Sequence, residues 1–210
     1  MARKVRRLYS AFQPDNYTLD LDIDPKNMSF NGSVIIEGLK VGRPAKRITF
    51  HQKGLKVTKV SVSSISTKGN KDLKVTRIIE HKTLDELRLH FNELIYPGRY
   101  RIEIEYKGRI NTQLHGIYAS SFKDKSKQKY IICTQFESHH AREALPCIDE
   151  PEAKSVFNLT LRTPTSLPAV IANTEVIKST KENGLIVTRF ASSPKMSSYL
   201  LALWLGILSI

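Results

Sequence analysis

The sequence lacks the features that mark several common protein classes. Its 210 residues include two cysteines and one tryptophan, which excludes a small secreted domain held together by several disulfides. The apolar run Tyr199–Leu208 is shorter than the roughly 20 residues of a membrane-spanning helix, so we expect a buried strand there and no membrane span. The sequence contains no P-loop, dinucleotide-binding glycine pattern or G-x-S-x-G motif. We therefore expect no catalytic residue in this chain.

The two cysteines, Cys133 and Cys147, are expected to be free thiols, although one disulfide between them stays open. The N-terminal segment is basic, but no apolar core with a cleavage site follows it. Without a signal peptide, the expected location is the reducing cytoplasm.

Basic residues outnumber acidic ones, with 33 Lys and Arg against 20 Asp and Glu and a net charge of +13. Such a charge favours acidic partners. The basic residues are spread along the chain, however, and no basic motif is interleaved with aromatic side chains, so nucleic-acid binding is not expected. The polar run Ser120–Lys129 is interpreted as an exposed basic hairpin loop.

Alternation of apolar and polar residues dominates the chain and predicts strands. In Tyr17–Ile23 every second residue is apolar, and Leu87–Phe91 and Tyr100–Lys107 repeat the pattern around a turn at Pro97-Gly98. Further strands are predicted at Ser33–Leu39, Arg47–Phe50, Lys56–Ser63, Lys74–Glu80, Tyr130–Gln135, Phe157–Arg162, Ala169–Thr174, Leu185–Ala191 and Ser198–Leu208.

These strands predict an all-β fold, an antiparallel two-sheet, saddle-like β-sandwich without a long helix. A chain of this length suits one domain spanning residues 1–210. The sequence ends two residues after an apolar strand, which suggests a boundary where another domain continues.

The most unusual stretch is Cys133–Pro151, where polar and turn-forming residues follow an apolar strand. We interpret it as a ligand-contacting rim on a β framework. Gln135 and Glu137 are two positions apart, so in an extended strand end they share a face. An amide beside a carboxylate suits an ammonium ligand, but Glu137 could instead pair with Arg142 in a surface ion pair contributing ~0.5 kcal/mol.

Two neighbouring features of this stretch have a structural interpretation. Asp149-Glu150-Pro151 is predicted to form a turn or a helix start, with Asp149 as the cap. His139 and His140 are adjacent, so on a strand they would point to opposite faces, and no H-E-x-x-H or H-x-H motif accompanies them. No metal site is therefore expected in this chain.

The same stretch resembles the N-terminal domain of the aminopeptidase N family, the gluzincin zinc metallo-aminopeptidases. The resemblance rests on Thr134-Gln135-Phe136-Glu137 followed by Ala141-Arg142-x-Ala144-x-Pro146-Cys147-x-Asp149-Glu150-Pro151-x-x-Lys154-x-x-Phe157. It extends to Tyr17-x-Leu19-x-Leu21 with Phe30-x-Gly32 near the start, and to Ser193–Leu200 near the end. It thus covers nearly the whole chain.

The resemblance implies a saddle-shaped β domain that packs over a catalytic domain and closes one side of its cleft. It also implies that Gln135 and Glu137 line the first substrate pocket and bind the free α-amino group of a peptide. A related branch that hydrolyses a leukotriene epoxide carries glutamine where Glu137 stands, so the chain is similar to the peptidase type. The family's G-A-M-E-N loop, H-E-x-x-H zinc site and transition-state tyrosine are not in this sequence, so zinc is expected to bind outside this chain.

Two functional hypotheses follow from the sequence. The first is the substrate-binding N-terminal domain of a zinc aminopeptidase, inactive when isolated, with a peptide N-terminus and the catalytic domain as partners. The alternative is a catalytically inert, free-standing β-sandwich that binds or scaffolds an acidic partner. A secreted adhesion-type sandwich is disfavoured because no signal peptide is found.

Overall fold

The computed structural model describes residues 7–67, 69–124, 127–167 and 169–206. These residues form fifteen strands and three short 3₁₀ turns, and the described part of the chain contains no α-helix. The strands are β1 (Phe12–Asp24), β2 (Ser29–Lys40), β3 (Ala45–His51), β4 (Lys56–Ile65), β5 (Lys71–Leu73), β6 (Val75–His81), β7 (Glu86–Ile95), β8 (Gly98–Arg109), β9 (Gly116–Asp124), β10 (Lys127–Gln135), β11 (Val156–Pro164), β12 (Ala169–Ala172), β13 (Val176–Glu182), β14 (Leu185–Phe190) and β15 (Leu203–Gly206). The 3₁₀ turns are Lys82–Leu84, Ala141–Glu143 and Ser198–Leu200.

The strands form three sheets, and the largest has the order β13-β14-β11-β1-β2-β8-β4-β5. A four-stranded sheet has the order β12-β15-β10-β9, and a three-stranded sheet has the order β3-β7-β6. All described pairs are antiparallel except β1 with β11, which run parallel. The all-β prediction of packed antiparallel sheets is confirmed, and two details differ: one pair is parallel, and the described strands form three sheets rather than two.

The predicted alternation of apolar and polar residues places the apolar side chains of β1 in the core. Tyr17, Leu19, Leu21 and Ile23 on β1 are each 1% exposed, whereas Thr18 between them faces solvent. The turn at Pro97-Gly98 leads from β7 in the three-stranded sheet to β8 in the eight-stranded one. It therefore joins two sheets rather than two paired strands.

Aromatic side chains pack against one another both between sheets and within a sheet of one continuous core. Phe12 on β1 meets Phe50 on β3 edge to face, with ring centroids 5.4 Å apart. Tyr17 and Phe157 stack at 4.9 Å where β1 runs beside β11. Such pairs stabilise a core by about 0.5–1.5 kcal/mol beyond the burial of their area.

Three strands were missing from the sequence prediction: β5, β9 and β13. The interpretation of Ser120–Lys129 as a loop was wrong for most of its length, because β9 and β10 pair through it with Ser120 opposite Ile131. Residues 125 and 126 of that segment lie outside the described residues. Main-chain hydrogen bonds to a neighbouring strand thus form a strand even where the local residues are polar and predict a loop.

The predicted strand Ser198–Leu208 is also different in the structure. It begins as the 3₁₀ turn Ser198–Leu200 and becomes strand only at Leu203–Gly206, while residues 207 and 208 lie outside the described residues. Among the described residues, no helix combines the length and apolar character needed to cross a membrane.

Cys133 and Cys147 are free thiols, as expected, with Cys147 buried and Cys133 half-buried. Burial raises the pKa of the Cys147 thiol well above its ordinary value, and the nearby Asp149 carboxylate raises it further. A buried thiol held in its protonated form is a poor nucleophile, so Cys147 acts as a packing residue.

Candidate functional site

Gln135 and Glu137 lie side by side at the end of β10. Gln135 is the last residue of the strand and pairs with Gly116 on β9. Both side chains are exposed, and they flank Phe136, which is 2% exposed. The Glu137 amide lies 3.4 Å from the Gln135 side-chain oxygen. Gln135 Oε1 thus contacts the main chain of Glu137, and both side chains reach the surface at this end of β10.

Glu137 does not form the ion pair with Arg142 that the sequence left open. Arg142 instead donates from Nε to Asp149 Oδ2 at 2.9 Å, and its Nη2 lies 3.3 Å from the Asp149 main-chain oxygen. Among the residues that the structure describes, no basic side chain lies within ion-pair distance of the Glu137 carboxylate.

Asp149 is not a helix cap, because no helix follows it, and that part of the prediction was wrong. Its side chain is 1% exposed. Besides Arg142, it accepts a hydrogen bond from Ser198 Oγ at 2.8 Å. Its main-chain amide donates to His51 Nδ1 at 3.1 Å. Asp149 therefore ties three distant segments together.

Glu150 is also directed inward. Its two carboxylate oxygens accept hydrogen bonds from the amides of Leu8 (2.7 Å) and Tyr9 (3.3 Å), which fixes the segment before β1. The predicted turn at Glu150 is confirmed by a 2.9 Å hydrogen bond from the Ala153 amide to the Glu150 carbonyl. Arg142, Asp149 and Glu150 are therefore not part of a ligand-contacting rim, because their charged groups bind partners within the fold.

A second polar cluster lies beside the Gln135–Glu137 edge, and sequence reasoning missed it. His115 precedes β9, and His140 precedes the 3₁₀ turn that ends at Glu143. His115 Nδ1 lies 2.7 Å from Glu143 Oε2, and His140 Nδ1 lies 3.0 Å from Glu143 Oε1. Lys53 Nζ also donates to Glu143 Oε1 at 3.0 Å.

Electrostatics in this cluster favour the charged carboxylate. Burial alone would raise the pKa of Glu143, but hydrogen bonds from His140, Lys53 and His115 outweigh it and lower the pKa below its usual value. Lys53 and His115 come from separate parts of the chain, so sequence spacing gives no signal for their contacts with Glu143. The one usable hint was that Glu143 follows His140 at a spacing that places them together in a turn.

Because His51 is buried, we expect the protein to lose stability at acidic pH. Burial, helped by the cation of Arg142, lowers the pKa of His51 from 6.5 to about 3. Between these values the unfolded chain binds a proton that the folded chain does not. The contribution of neutral His51 to the free energy of unfolding is thus nearly complete above pH 6.5. It falls as the pH drops towards 3, by about 2 kcal/mol between pH 7 and pH 5.

The measurement is urea unfolding of wild type and His51→Asn at both pH values. Asparagine can accept the Asp149 amide in place of Nδ1 without titrating, so the variant should lose about 2 kcal/mol less over this range. The groups facing His51 are the Glu150 carboxylate, with Oε1 4.0 Å from Nε2, Arg142, and the main chain of Cys147 and Asp149. Parallel stability curves for the two proteins would show that His51 is not the titrating group.

Comparison with known proteins gives a consistent family assignment. The sequence profile of the Peptidase M1 N-terminal domain matches residues 13–200. The chain is 37% identical to an aminopeptidase N of Lactococcus lactis subsp. lactis over 204 residues, which cover 96% of the chain. It is 30% identical to aminopeptidase M1 of Arabidopsis thaliana over 92% of the chain. It is 32% identical to a puromycin-sensitive aminopeptidase of Caenorhabditis elegans over 98% of the chain.

The chain spans only 22%, 22% and 21% of the length of these three relatives. Their similarity therefore concerns one domain of longer proteins. The family profile runs from the second residue of β1 to the end of the 3₁₀ turn before β15. This chain therefore belongs to the peptidase M1 family as an N-terminal domain of the aminopeptidase N type.

Proposed function

We propose that this chain is the substrate-binding N-terminal domain of a zinc-dependent aminopeptidase that removes residues from peptide N-termini. In this proposal Gln135 and Glu137 bind the free α-amino group of the peptide. The surface around them forms part of the wall of the active-site cleft.

The observation that carries the proposal is the exposed Gln135–Glu137 pair. A carboxylate without a cationic partner among the described residues, two positions from the exposed amide of Gln135, offers an ammonium group a charge and hydrogen-bond acceptors. Anchoring the terminal ammonium at a fixed place presents only the first peptide bond to the reaction. This selects exopeptidase cleavage.

The family is zinc-dependent in general, and its named relatives here are aminopeptidases. The sequence has no H-E-x-x-H motif, so these residues do not fit the catalytic zinc site, and we place that zinc in a catalytic domain outside this chain. The isolated chain is then inactive. We also propose that the protein works in the cytoplasm, where its thiols Cys133 and Cys147 stay reduced.

A second candidate is an inert module that binds an acidic partner, which the net charge of +13 favours. It would show salt-sensitive binding to a polyanion. Charge reversal among the lysines of segment 123–129 should abolish that binding, whereas Glu137→Ala should not.

Two measurements together test the proposal. An antibody raised to the chain should detect a product several times larger than 23.9 kDa in the source cells. That product should hydrolyse a leucine-linked fluorogenic substrate, while the purified 210-residue chain should not. A product of 23.9 kDa, or zinc-dependent hydrolysis by the chain alone, would overturn the proposal.

A further inference from the structure

His115, His140 and Glu143 bring three good metal ligands together. One ligand atom from each residue lies within 4.8 Å of the other two. Two imidazole nitrogens and a carboxylate oxygen suit Zn²⁺ and similar transition metals, whereas Ca²⁺ and Mg²⁺ prefer sites built from oxygen. The cluster therefore has the composition of a site for a borderline divalent cation.

The three side chains are held in place from several directions. The His140 ring stacks between the rings of His115 and His139, at centroid distances of 4.4 and 4.8 Å. The His115 carbonyl accepts a 2.8 Å hydrogen bond from Asn111 Nδ2. Glu143 is 12% exposed at its side chain, against 30% for His115 and 21% for His140. The ligands are thus largely ordered yet reachable from solvent.

Glycine at position 116 allows this close approach. A Cβ at Gly116 would lie 2.8 Å from Glu143 Oε2, and its φ of +64° is one that residues with side chains rarely adopt. The backbone next to His115 therefore comes close enough for the Glu143 carboxylate to contact both imidazoles.

We propose that His115 Nδ1, His140 Nδ1 and a Glu143 carboxylate oxygen bind one Zn²⁺-like divalent cation. Each Nδ1 now faces a different carboxylate oxygen at 2.7 or 3.0 Å, and the cation replaces the hydrogens shared there. Tetrahedral zinc with bonds of about 2.0–2.1 Å holds its ligands about 3.3 Å apart. The stacked rings must rotate so that both Nδ1 lone pairs point at the ion, and water completes the coordination.

Lys53 competes for the same site. Its ammonium occupies Glu143 Oε1, the oxygen that also faces His140. The Lys53 side chain is 47% exposed, so a metal ion can displace the ammonium into solvent. Removing this charge should strengthen metal binding, an effect opposite in sign to that of removing a ligand.

A bound cation would join the segment before β9 to the 3₁₀ turn that follows Glu137. This cross-link goes beyond the proposed peptidase function and does not depend on it. In the sequence only His139 and His140 stand together, and His115 lies far from them along the chain, so no metal-binding motif is visible there.

The test is titration of the EDTA-treated 210-residue chain with Co²⁺, followed by visible absorption, and with Zn²⁺, followed by calorimetry and thermal unfolding. We expect one saturable site per chain and a midpoint of unfolding that rises with metal concentration. His115→Ala and His140→Ala should each weaken binding at least tenfold, and Lys53→Gln should tighten it several-fold. Thermal unfolding without metal checks that each variant is folded.

Two control variants separate this site from other metal-binding groups. His139→Phe removes a neighbouring histidine outside the three ligands but keeps a ring that can stack on His140, and Cys133→Ser removes a half-buried thiol. Both should bind as wild type does. The proposal is overturned if no saturable binding occurs, if binding survives both His115→Ala and His140→Ala, or if Lys53→Gln weakens it. None of these results bears on peptide hydrolysis.

Discussion

Asp149→Ala should lower the free energy of unfolding by about 3–5 kcal/mol, the range for removing one partner of a buried ion pair. The Asp149 carboxylate is 1% exposed and accepts hydrogen bonds from Arg142 and Ser198. Without it, a mostly buried guanidinium has no counterion, and the Ser198 hydroxyl loses its acceptor. Urea unfolding of the 210-residue chain, monitored by tryptophan fluorescence and circular dichroism, measures the change.

Asp15→Ala is the matched control. Asp15 pairs with Arg99 at 2.6 Å, but the two side chains are 41% and 53% exposed. Solvent-exposed pairs contribute about 0–1 kcal/mol, so this variant should change stability little. Equal losses of unfolding free energy in the two variants would show that the buried ion pair of Asp149 stabilises the fold no more than the exposed pair of Asp15. Replacing Arg142 and Asp149 together by apolar residues should recover part of the loss.

Glu137→Gln should reduce kcat/KM for a leucine peptide about 10–100-fold in a protein that joins this chain to its catalytic domain. The variant keeps the size of the side chain but removes the charge that would pair with the substrate ammonium. A hydrogen bond to a charged group contributes about 1.5–3 kcal/mol, which corresponds to this loss of rate. Steady-state kinetics with free and N-acetylated substrates should also show weaker preference for the free amine.

Glu182→Gln provides the comparison for charge alone. Glu182 is an exposed carboxylate on β13, at the far edge of the largest sheet. Its replacement should leave kcat/KM unchanged. If Glu137→Gln also leaves kcat/KM and the amine preference unchanged, Glu137 does not bind the α-amino group.

The alternation of apolar residues was enough to predict most of the fold. Tyr17–Ile23 and Tyr100–Tyr106 place every second side chain in the core, because a strand has a period of two. The same rule could not find β13, whose residues are largely exposed and whose described pairing is with β14 alone. Nor could it show that β1 and β11 run parallel, since pairing between distant strands is not encoded in either strand.

The candidate site was predictable only in part. Gln135 and Glu137 lie two positions apart, so a strand end predicts that both are exposed on either side of buried Phe136, and their binding of an ammonium group stays a prediction. Asp149 and Glu150 have the same polar character, yet they bind Arg142, Ser198 and the amides near residue 8 within the fold. Whether a charged residue faces solvent or an internal partner depends on contacts between segments far apart in the chain.

The parallel pairing of β1 with β11 also affects how the chain folds during synthesis. The Ser155 hydroxyl donates to the Pro14 carbonyl across 141 positions in the sequence, and β11 starts directly after Ser155. At roughly 5–20 residues per second, a ribosome needs about 7–30 s to add the residues between these two strands. Until then one edge of β1 has no strand to pair with, and an unpaired edge is a place where nascent chains aggregate or bind chaperones.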